Sequence, residues 1–160
     1  MFIITKELIK KYGKDESEIY ALDHVNLEIC KKEIAVILGP SGSGKSTLLN
    51  ILGGLDKPDS GSITIDGAEL EQMSDRKLSE FRRNKIGFVF QSYNLTPDLT
   101  VLENIQMTGE LVGDPLSADE LVQELGLEKH KNKFPNMLSG GQQQRVAIAR
   151  TMVKKPALLL

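Results

Sequence analysis

The sequence predicts an α/β fold in which a core with a parallel sheet carries an N-terminal antiparallel β subdomain and a small helical subdomain. Two runs rich in isoleucine, leucine, valine and tyrosine, at residues 2–10 and 18–29, predict strands joined by a polar turn at 13–17. An apolar run at 34–38, followed by a glycine-rich loop and helix-spaced leucines, predicts a buried strand that leads into a helix. From residue 93 onward the pattern becomes helical.

These patterns divide the chain into three segments. Residues 1–92 hold the N-terminal strands and the first part of the core, residues 93–137 form the helical subdomain, and residues 138–160 return to the core. The remaining elements predicted before residue 93 are strands at 62–66 and 86–90, a tight turn at Asp66-Gly67 and a helix at 75–84.

Three capping-box spacings predict where the later helices begin. In a capping box, a serine or threonine is followed three residues later by glutamate or glutamine. Thr100 begins a helix that we expect to reach about residue 111, and Ser117 begins one that ends near Gly126. Ser139 has the same relation to Gln142 and predicts a third helix.

Composition restricts the class of protein. The chain has 160 residues, of which 40% are hydrophobic and 26% charged, which is ordinary for a globular domain. The formal net charge of −2 gives no indication of a nucleic-acid partner. No stretch approaches the ~20 apolar residues that span a bilayer, and the N-terminus lacks the pattern of a signal peptide. We therefore expect a soluble, cytoplasmic protein.

The glycine-rich loop at residues 39–47 matches G-x-x-x-x-G-K-[ST], a pattern that phosphate-binding loops share. Its glycines let successive N–H groups turn toward an anion, and the following helix N-terminus adds partial positive charge. Lys45 can reach the β- and γ-phosphates of a nucleotide, and the Ser46 hydroxyl can bind Mg²⁺. A turn without a ligand would not explain why lysine and serine follow the last glycine. The candidate nucleotide-binding residues are Gly39, Pro40, Ser41, Gly42, Ser43, Gly44, Lys45, Ser46 and Thr47.

Two single residues are placed to assist this loop, which we call the phosphate loop. Tyr12 lies at the end of the first predicted strand, where an exposed ring could stack on adenine; a packing tyrosine is the alternative. Gln91 directly follows the strand predicted at 86–90. Because ligands of open α/β sheets lie beyond the carboxyl ends of the strands, Gln91 could reach Mg²⁺ or an attacking water; a surface loop residue is the alternative.

A second site suited to an anion lies at the helix that Ser139 begins. Two glycines after the N-cap weaken the start of a helix, yet they leave N–H groups exposed beside the Ser139 hydroxyl. The residues of this site are Ser139, Gly140, Gly141 and Gln142.

These motifs together resemble the ATP-binding subunit of an ABC transporter over the whole chain. The phosphate loop is similar to the Walker A motif of that family, Gln91 to its Q-loop glutamine and Tyr12 to its adenine-stacking aromatic. Residues 138–142, Leu-Ser-Gly-Gly-Gln, are similar to its signature motif, and we call them the signature segment. The sequences of residues 86–95, around Gln91, and of residues 99–105 resemble the branch of the family that serves macrolide export, lipoprotein release and antimicrobial-peptide resistance.

The resemblance implies a P-loop NTPase core that uses ATP and Mg²⁺ and couples ATP hydrolysis to transport. It implies catalytic roles for Lys45 and Gln91, Mg²⁺ ligands in Ser46 and Gln91, and nucleotide contacts by the signature segment. It also implies that two nucleotide-binding subunits pair head to tail, so that the signature segment of one chain closes over ATP on the other. The further partners are transmembrane permease subunits, which would hold the protein on the cytoplasmic face of the cell membrane; nucleic acid is not expected.

The chain ends at Leu160, where the family has a Walker B strand followed by an Mg²⁺-linked aspartate and a catalytic glutamate. The family's later switch histidine is not matched either, since His24 and His130 both precede the signature segment. We therefore expect a C-terminally truncated fragment that binds Mg·ATP weakly and hydrolyses it negligibly, whereas the full-length protein is an ATPase.

Two other functions fit the same motifs. A soluble ABC-type ATPase could act on nucleic acid or ribosomes, but residues 91 and 138 lie too close for a long coiled-coil insertion, and the motifs occur once. A nucleotide-binding module that never hydrolyses ATP would fit the missing carboxylates.

Overall fold

The computed structural model of the chain describes residues 1–13 and 17–160 and falls into two compact units, Met1–Ser79 and Glu80–Leu160. The turn predicted at 13–17 includes residues 14–16, which lie outside the described residues. The three-segment division at residues 92 and 137 stays a prediction. None of the helices in the described ranges is long and apolar enough to cross a membrane.

The first unit is built on a four-stranded antiparallel sheet. Strand β1 (Ile3–Tyr12) lies between β2 (Ile19–Ile29) and β3 (Ser60–Ile65), and β4 (Ala68–Glu69) pairs with β3. The two predicted N-terminal strands are thereby confirmed. The turn at Asp66-Gly67 is also confirmed: both residues have positive φ, 50° and 79°, as a two-residue hairpin of the favoured type requires.

Helix α1 (Lys45–Leu52) follows the phosphate loop and ends at Gly53. Its inner face is Leu48, Ile51 and Leu52, all buried, as the leucine spacing predicted. Alternate residues of the sheet supply the rest of this unit's apolar core. Its buried strand residues include Ile3, Leu8, Leu22, Ile63 and Ile65.

The prediction of a buried strand at residues 34–38 is wrong. These residues have no strand assignment, and the side chains of Ile34 and Leu38 are 92% and 85% exposed. A buried strand must pair its backbone N–H and C=O groups with neighbouring strands. No strand in the described parts of the chain pairs with this segment, so its hydrophobic side chains are not covered there.

The second unit contains a parallel pair of short strands. Helix α2 (Asp75–Lys85) leads into β5 (Ile86–Gly87), which pairs in parallel with β6 (Leu158–Leu159). The strand predicted at 86–90 is therefore shorter than expected, although Val89 N–H still donates to Leu160 O at 2.9 Å. The predicted parallel sheet is present in these two strands.

Three helices make most of the second unit: α3 (Val101–Gly109), α4 (Ala118–Glu124) and α5 (Gly140–Met152). Complete capping boxes begin α3 at Thr100 and α5 at Ser139, as predicted. At α4 the Ser117 hydroxyl accepts from Glu120 N–H, but no reciprocal bond from the Glu120 side chain is found among the described residues. The predicted capping box there is a simple N-cap. Among the described residues, short 3₁₀ turns lie at Leu70–Gln72 in the first unit and at Glu128–His130 and Pro135–Met137 in the second.

The three helices share one hydrophobic core. It joins residues from α3, α4, α5 and the segments beside them. The segment after α4 is tied to the start of α3, because Val101 N–H donates to Lys133 O and Leu102 N–H to Lys131 O. The core residues are Val101, Ile105, Leu121, Val122, Leu127, Leu138, Val146, Ala149 and Val153.

Candidate functional site

The phosphate loop is an exposed turn that opens directly into α1. Gly44 is the N-cap of the helix and has φ 85° and ψ 0°. A Cβ atom at this position would lie 2.1 Å from Ala21 O, so both the backbone conformation and the space require glycine. The first N–H groups of α1 have no partner within the helix, which leaves them as donors at its N-terminus.

Lys45 turns its ammonium back into the loop. Its Nζ donates to Gly39 O at 2.9 Å, to Pro40 O at 2.5 Å and to Ser43 Oγ at 3.3 Å. These oxygens hold the cation among the loop residues, where it can exchange carbonyl partners for the more strongly attracting oxygens of a phosphate. The position suits the role that the sequence predicts for this residue.

The donor set at this loop fits Mg²⁺ carried by a nucleotide. No group of three or more His, Cys, Asp or Glu that could hold a metal occurs in the ranges that the structure describes. Mg²⁺ normally takes few protein oxygens, keeps waters and binds substrate phosphates. Ser46 lies in the first turn of α1 and could supply one hydroxyl ligand.

Tyr12 lies in the same unit, and its hydroxyl is fixed by the start of the loop that follows α1. Its Oη donates to Asp56 Oδ2 at 2.9 Å and also has the Thr47 side chain as a hydrogen-bond partner. Lys10 Nζ lies 2.9 Å from Asp56 Oδ1 and 5.4 Å from the centroid of the Tyr12 ring. The ring stays 46% exposed, so it is anchored at its hydroxyl and open on its surface.

The charges around Tyr12 shift two pKa values in opposite directions. The hydrogen bond to Asp56 raises the pKa of Tyr12, since it favours the protonated phenol. Burial alone would raise the pKa of Asp56, but hydrogen bonds from Lys10, Tyr12 and the Lys57 amide outweigh it and leave that pKa below its ordinary value. Asp56 is therefore ionised at neutral pH and holds the tyrosine as a charged acceptor.

In the second unit, Gln91 is exposed shortly after β5. It begins a tight loop, residues 91–94, which we call the Gln91 loop. Tyr93 and Asn94 both have positive φ, 59° and 48°, which is uncommon for residues with side chains. Arg150, near the end of α5, donates to the Tyr93 and Asn94 carbonyls at 2.9 Å and 2.5 Å. Burial lowers the pKa of Arg150. Through its two hydrogen bonds, the Arg150 guanidinium joins the loop that carries Gln91 to α5, the helix that begins at the signature segment.

Residues 139–141 of the signature segment are the exposed N-terminus of α5, and Leu138 before them is buried in the helical core. Ser139 Oγ accepts from Gln142 N–H at 3.4 Å, and Gln142 Oε1 accepts from Ser139 N–H at 2.8 Å. A Cβ atom on Gly140 would lie 3.2 Å from the Tyr93 hydroxyl, whereas one on Gly141 would meet no atom within 4 Å. Gly140 is therefore in close contact with the Gln91 loop, and Gly141 faces open space.

The predicted residues thus form two groups. Tyr12 and the phosphate loop meet in the first unit, and the Gln91 loop and the signature segment meet in the second. The roles assigned to Tyr12, Gln91 and the signature segment stay predictions. No local pattern in the sequence indicates the supporting residues Asp56, Tyr93 and Arg150, because each acts through a contact with a residue 44 to 57 positions away in the chain.

Comparison with known proteins identifies one family. The family model described as "ABC transporter" matches residues 22–160. An uncharacterized ABC transporter ATP-binding protein of Thermotoga maritima is 49% identical over 156 residues, which are 94% of this chain and 67% of that protein. The lipoprotein-releasing system ATP-binding protein LolD of Buchnera aphidicola is 44% identical, with 96% of this chain and 69% of the relative covered.

The solved structures agree with the sequence relatives. The dimeric structure of a post-hydrolysis state of the ATP-binding cassette MJ0796, bound to ADP and Pi, superposes with a TM-score of 0.88 at 45% identity. The superposition covers 98% of this chain and 72% of that one. The share of a relative that is covered varies, since a putative ABC transporter ATP-binding protein of Mycoplasma pneumoniae is matched over only 30% of its length.

Proposed function

The chain belongs to the ABC transporter family as one of its ATP-binding proteins, and from this premise we propose that the full-length protein binds Mg·ATP, hydrolyses it, and couples both events to transport across a membrane. The observation that carries the proposal is the phosphate loop, which opens a helix at Gly44 and holds the Lys45 ammonium among its own oxygens. Bound ATP would replace those oxygens with its β- and γ-phosphates, and Ser46 would bind the Mg²⁺ that ATP carries.

In ATP hydrolysis the protein would act by positioning the nucleotide and by neutralising the charge of its phosphates. Phosphoryl transfer spreads negative charge over the γ-phosphoryl oxygens, so fixed donors lower the barrier most. Lys45 contributes a full positive charge, and the first N–H groups of α1 contribute partial charges. When bound, Mg²⁺ would neutralise further charge on the phosphates. Gln91 is our candidate for orienting the attacking water and for a further Mg²⁺ ligand.

Pairing of two chains would give the signature segment its function. We propose that Ser139 and Gly141 of one chain contact the γ-phosphate of ATP on a second copy, head to tail. The exposed N-terminus of α5, a helix of 13 residues, supports this because its N–H groups and helix dipole favour an anion. The similar MJ0796 cassette is described as dimeric, which also supports the pairing.

Membrane permease subunits are the second proposed partner, and they would place the protein on the cytoplasmic face of a membrane. We expect the full-length protein to copurify with a polytopic membrane protein when it is tagged and isolated in mild detergent. The matched control is the same purification with the tag on an unrelated ATPase, which should not bring down the membrane protein. Copurification of ribosomes or nucleic acid without any membrane protein would instead support a soluble ATPase.

Substitution of Tyr12 tests whether its ring contacts the adenine of ATP. We expect Tyr12→Ala to weaken ATP binding about tenfold, since an aromatic stacking contact contributes about 0.5–1.5 kcal/mol beyond its buried area. Tyr12→Phe keeps the ring and loses only the hydrogen bonds of the hydroxyl to Asp56 and Thr47, so it should stay within about threefold of wild type. Isothermal titration calorimetry with ATP and with inorganic tripolyphosphate measures both effects.

Tyr20→Ala is the matched control. Tyr20 lies in the same sheet, is 48% exposed and has Lys11 Nζ 4.6 Å from its ring centroid, much as Tyr12 has Lys10. Tyr20→Ala should bind ATP with the affinity of wild type. Tyr12→Ala should bind tripolyphosphate, which has no base, with the affinity of wild type. An equal loss of affinity for ATP and tripolyphosphate in Tyr12→Ala would show that the ring does not contact the base.

A further inference from the structure

His130 contacts the signature segment through one hydrogen bond. It ends the 3₁₀ turn Glu128–His130, and its Nε2 lies 3.0 Å from the side-chain nitrogen of Gln142. Gln142 in turn accepts from Ser139 N–H through its Oε1 at 2.8 Å. The three residues therefore form a chain of hydrogen bonds that ends at the serine of the signature segment.

The direction of the first bond follows from the chemistry of the amide. A glutamine side-chain nitrogen only donates, so His130 Nε2 must be the acceptor and the ring proton must be on Nδ1. Nδ1 is buried and has no hydrogen-bond partner in the part of the chain that the structure describes. A buried polar atom without a partner is uncommon and needs an explanation. In the observed ring orientation Nδ1 has no partner among the described residues, but Nε2 keeps its hydrogen bond to Gln142.

Ser139 N–H can only donate, so it takes the Gln142 oxygen and leaves the amide nitrogen facing His130, whose Nε2 accepts from it and holds the amide in that orientation. With its nitrogen on His130, the Gln142 oxygen is directed to Ser139 N–H. The reversed amide would place NH₂ against N–H, two donors that repel each other, and would break one half of the capping box. His130 thus holds the amide in the orientation that completes the cap.

The position of His130 is itself fixed by the helical core. Its N–H donates to Leu127 O at 2.8 Å, and Leu127 is fully buried. Lys133 N–H donates to His130 O at 2.9 Å, and the next residues of this segment bond to the start of α3. The histidine therefore holds Gln142 relative to a rigid part of the second unit rather than from a loose loop.

We propose that His130 is a positioning residue that orients Gln142 and, through it, the Ser139 group that contacts nucleotide on a second chain. The nucleotide contact rests on the proposed function, whereas the orientation of Gln142 and Ser139 does not. His130 itself does not touch the nucleotide.

The first experiment needs no nucleotide. Nitrogen-15 NMR of the histidine rings should find neutral His130 with its proton on Nδ1, the less common tautomer in water. Hydrogen exchange of the Ser139 amide should be about tenfold faster in His130→Leu, because the loss of one hydrogen bond frees the glutamine. His130→Gln should exchange like wild type, since its Oε1 is as many bonds from Cα as the histidine Nε2. A proton on Nε2, or equal exchange rates in the two variants, would overturn the proposal.

The second experiment measures catalysis in the full-length protein. His130→Leu should lower kcat for ATP about tenfold, whereas KM for ATP and the affinity of the separate chain for ATP stay unchanged. His130→Gln should recover kcat to within about twofold. Lys129→Leu, at the exposed neighbouring position, is the control for a general surface effect.

The two experiments separate the inference from the function on which it rests. If wild type shows no ATP turnover, the proposed function fails, and the tautomer and exchange measurements still decide whether His130 orients Ser139. If turnover is normal but falls equally in His130→Leu and His130→Gln, the positioning role is wrong and the histidine only packs.

Discussion

Replacing Lys45 by methionine is expected to reduce ATP turnover by the full-length protein at least about 100-fold. The ammonium is the one full positive charge among residues 39–47 that lies against the loop oxygens, and removing a single preorganised donor from a transition state costs about 10² to 10³ in kcat. Methionine keeps most of the length of the side chain and removes only the charge and the hydrogen bonds. Steady-state release of phosphate measures the effect.

Lys57→Met is the matched control for Lys45→Met. It removes an equal charge from the same unit, and the Lys57 side chain is 58% exposed with its ammonium 2.6 Å from Asp75. Loss of such an exposed ion pair costs about 0–1 kcal/mol of stability and should leave turnover within about twofold of wild type. Wild-type turnover in Lys45→Met would contradict the assignment of residues 39–47 as the catalytic phosphate loop.

Gly141→Asp is expected to abolish turnover while leaving the fold intact. A Cβ atom at Gly141 meets nothing within 4 Å, so the side chain fits without rearrangement. A carboxylate in the first turn of α5 should even stabilise the helix by about 0.3–1 kcal/mol through the helix dipole. The same carboxylate would face the γ-phosphate of ATP on a second chain, and repulsion between like charges costs several kcal/mol. We therefore expect turnover at least about 100-fold lower at an unchanged or slightly higher Tm.

Gly113→Asp is the control for Gly141→Asp. Gly113 is exposed, and a Cβ atom there also meets nothing within 4 Å, but the residue lies outside every predicted nucleotide contact. Its turnover should match wild type. Equal activity of both aspartate variants would show that the signature segment does not approach ATP.

Two kinds of heterodimer decide whether the two motifs act on one nucleotide from different chains. In the first, one chain carries Lys45→Met and the other Gly141→Asp. In the second, one chain carries both substitutions and the other neither. If the site is shared between chains, the first heterodimer keeps one intact site and the second keeps none.

The second kind of heterodimer also tests the alternative arrangement. If each chain used its own phosphate loop and signature segment, the second heterodimer would keep the intact site and the order of the activities would reverse. Both heterodimers carry the same substitutions, so differences in stability cancel. Turnover of the first kind must exceed that of the second for the head-to-tail arrangement to stand.

Local chemistry made several helix starts and one tight turn predictable. The capping boxes at Thr100 and Ser139 were read directly from the spacing of side chains that bond to N–H groups three residues away. The Asp66-Gly67 turn followed in the same way from two residues that tolerate positive φ. Such signals are contained within four residues, so neighbouring strands and helices do not alter them.

Pairing between distant segments was less predictable. The apolar run at residues 34–38 has the composition of a buried strand, yet it pairs with no strand in the described ranges and stays exposed. Strand β5 is likewise shorter than its apolar run, because β6 pairs with only Ile86 and Gly87. Hydrophobicity indicates that a segment is suited to burial, but a strand also needs a partner for its backbone.

The sequence by itself determined the chemistry of this protein: a phosphate loop at residues 39–47, a signature segment at 138–142, and through them the family to which the chain belongs. In the proposed function these motifs act through backbone N–H groups and single charges whose spacing along the chain is fixed. Only the tertiary structure decided which residues support them. Asp56 holds Tyr12, Arg150 holds the Gln91 loop and His130 holds Gln142. Contacts between residues that are distant in sequence depend on how helices and strands pack, and no local pattern encodes them.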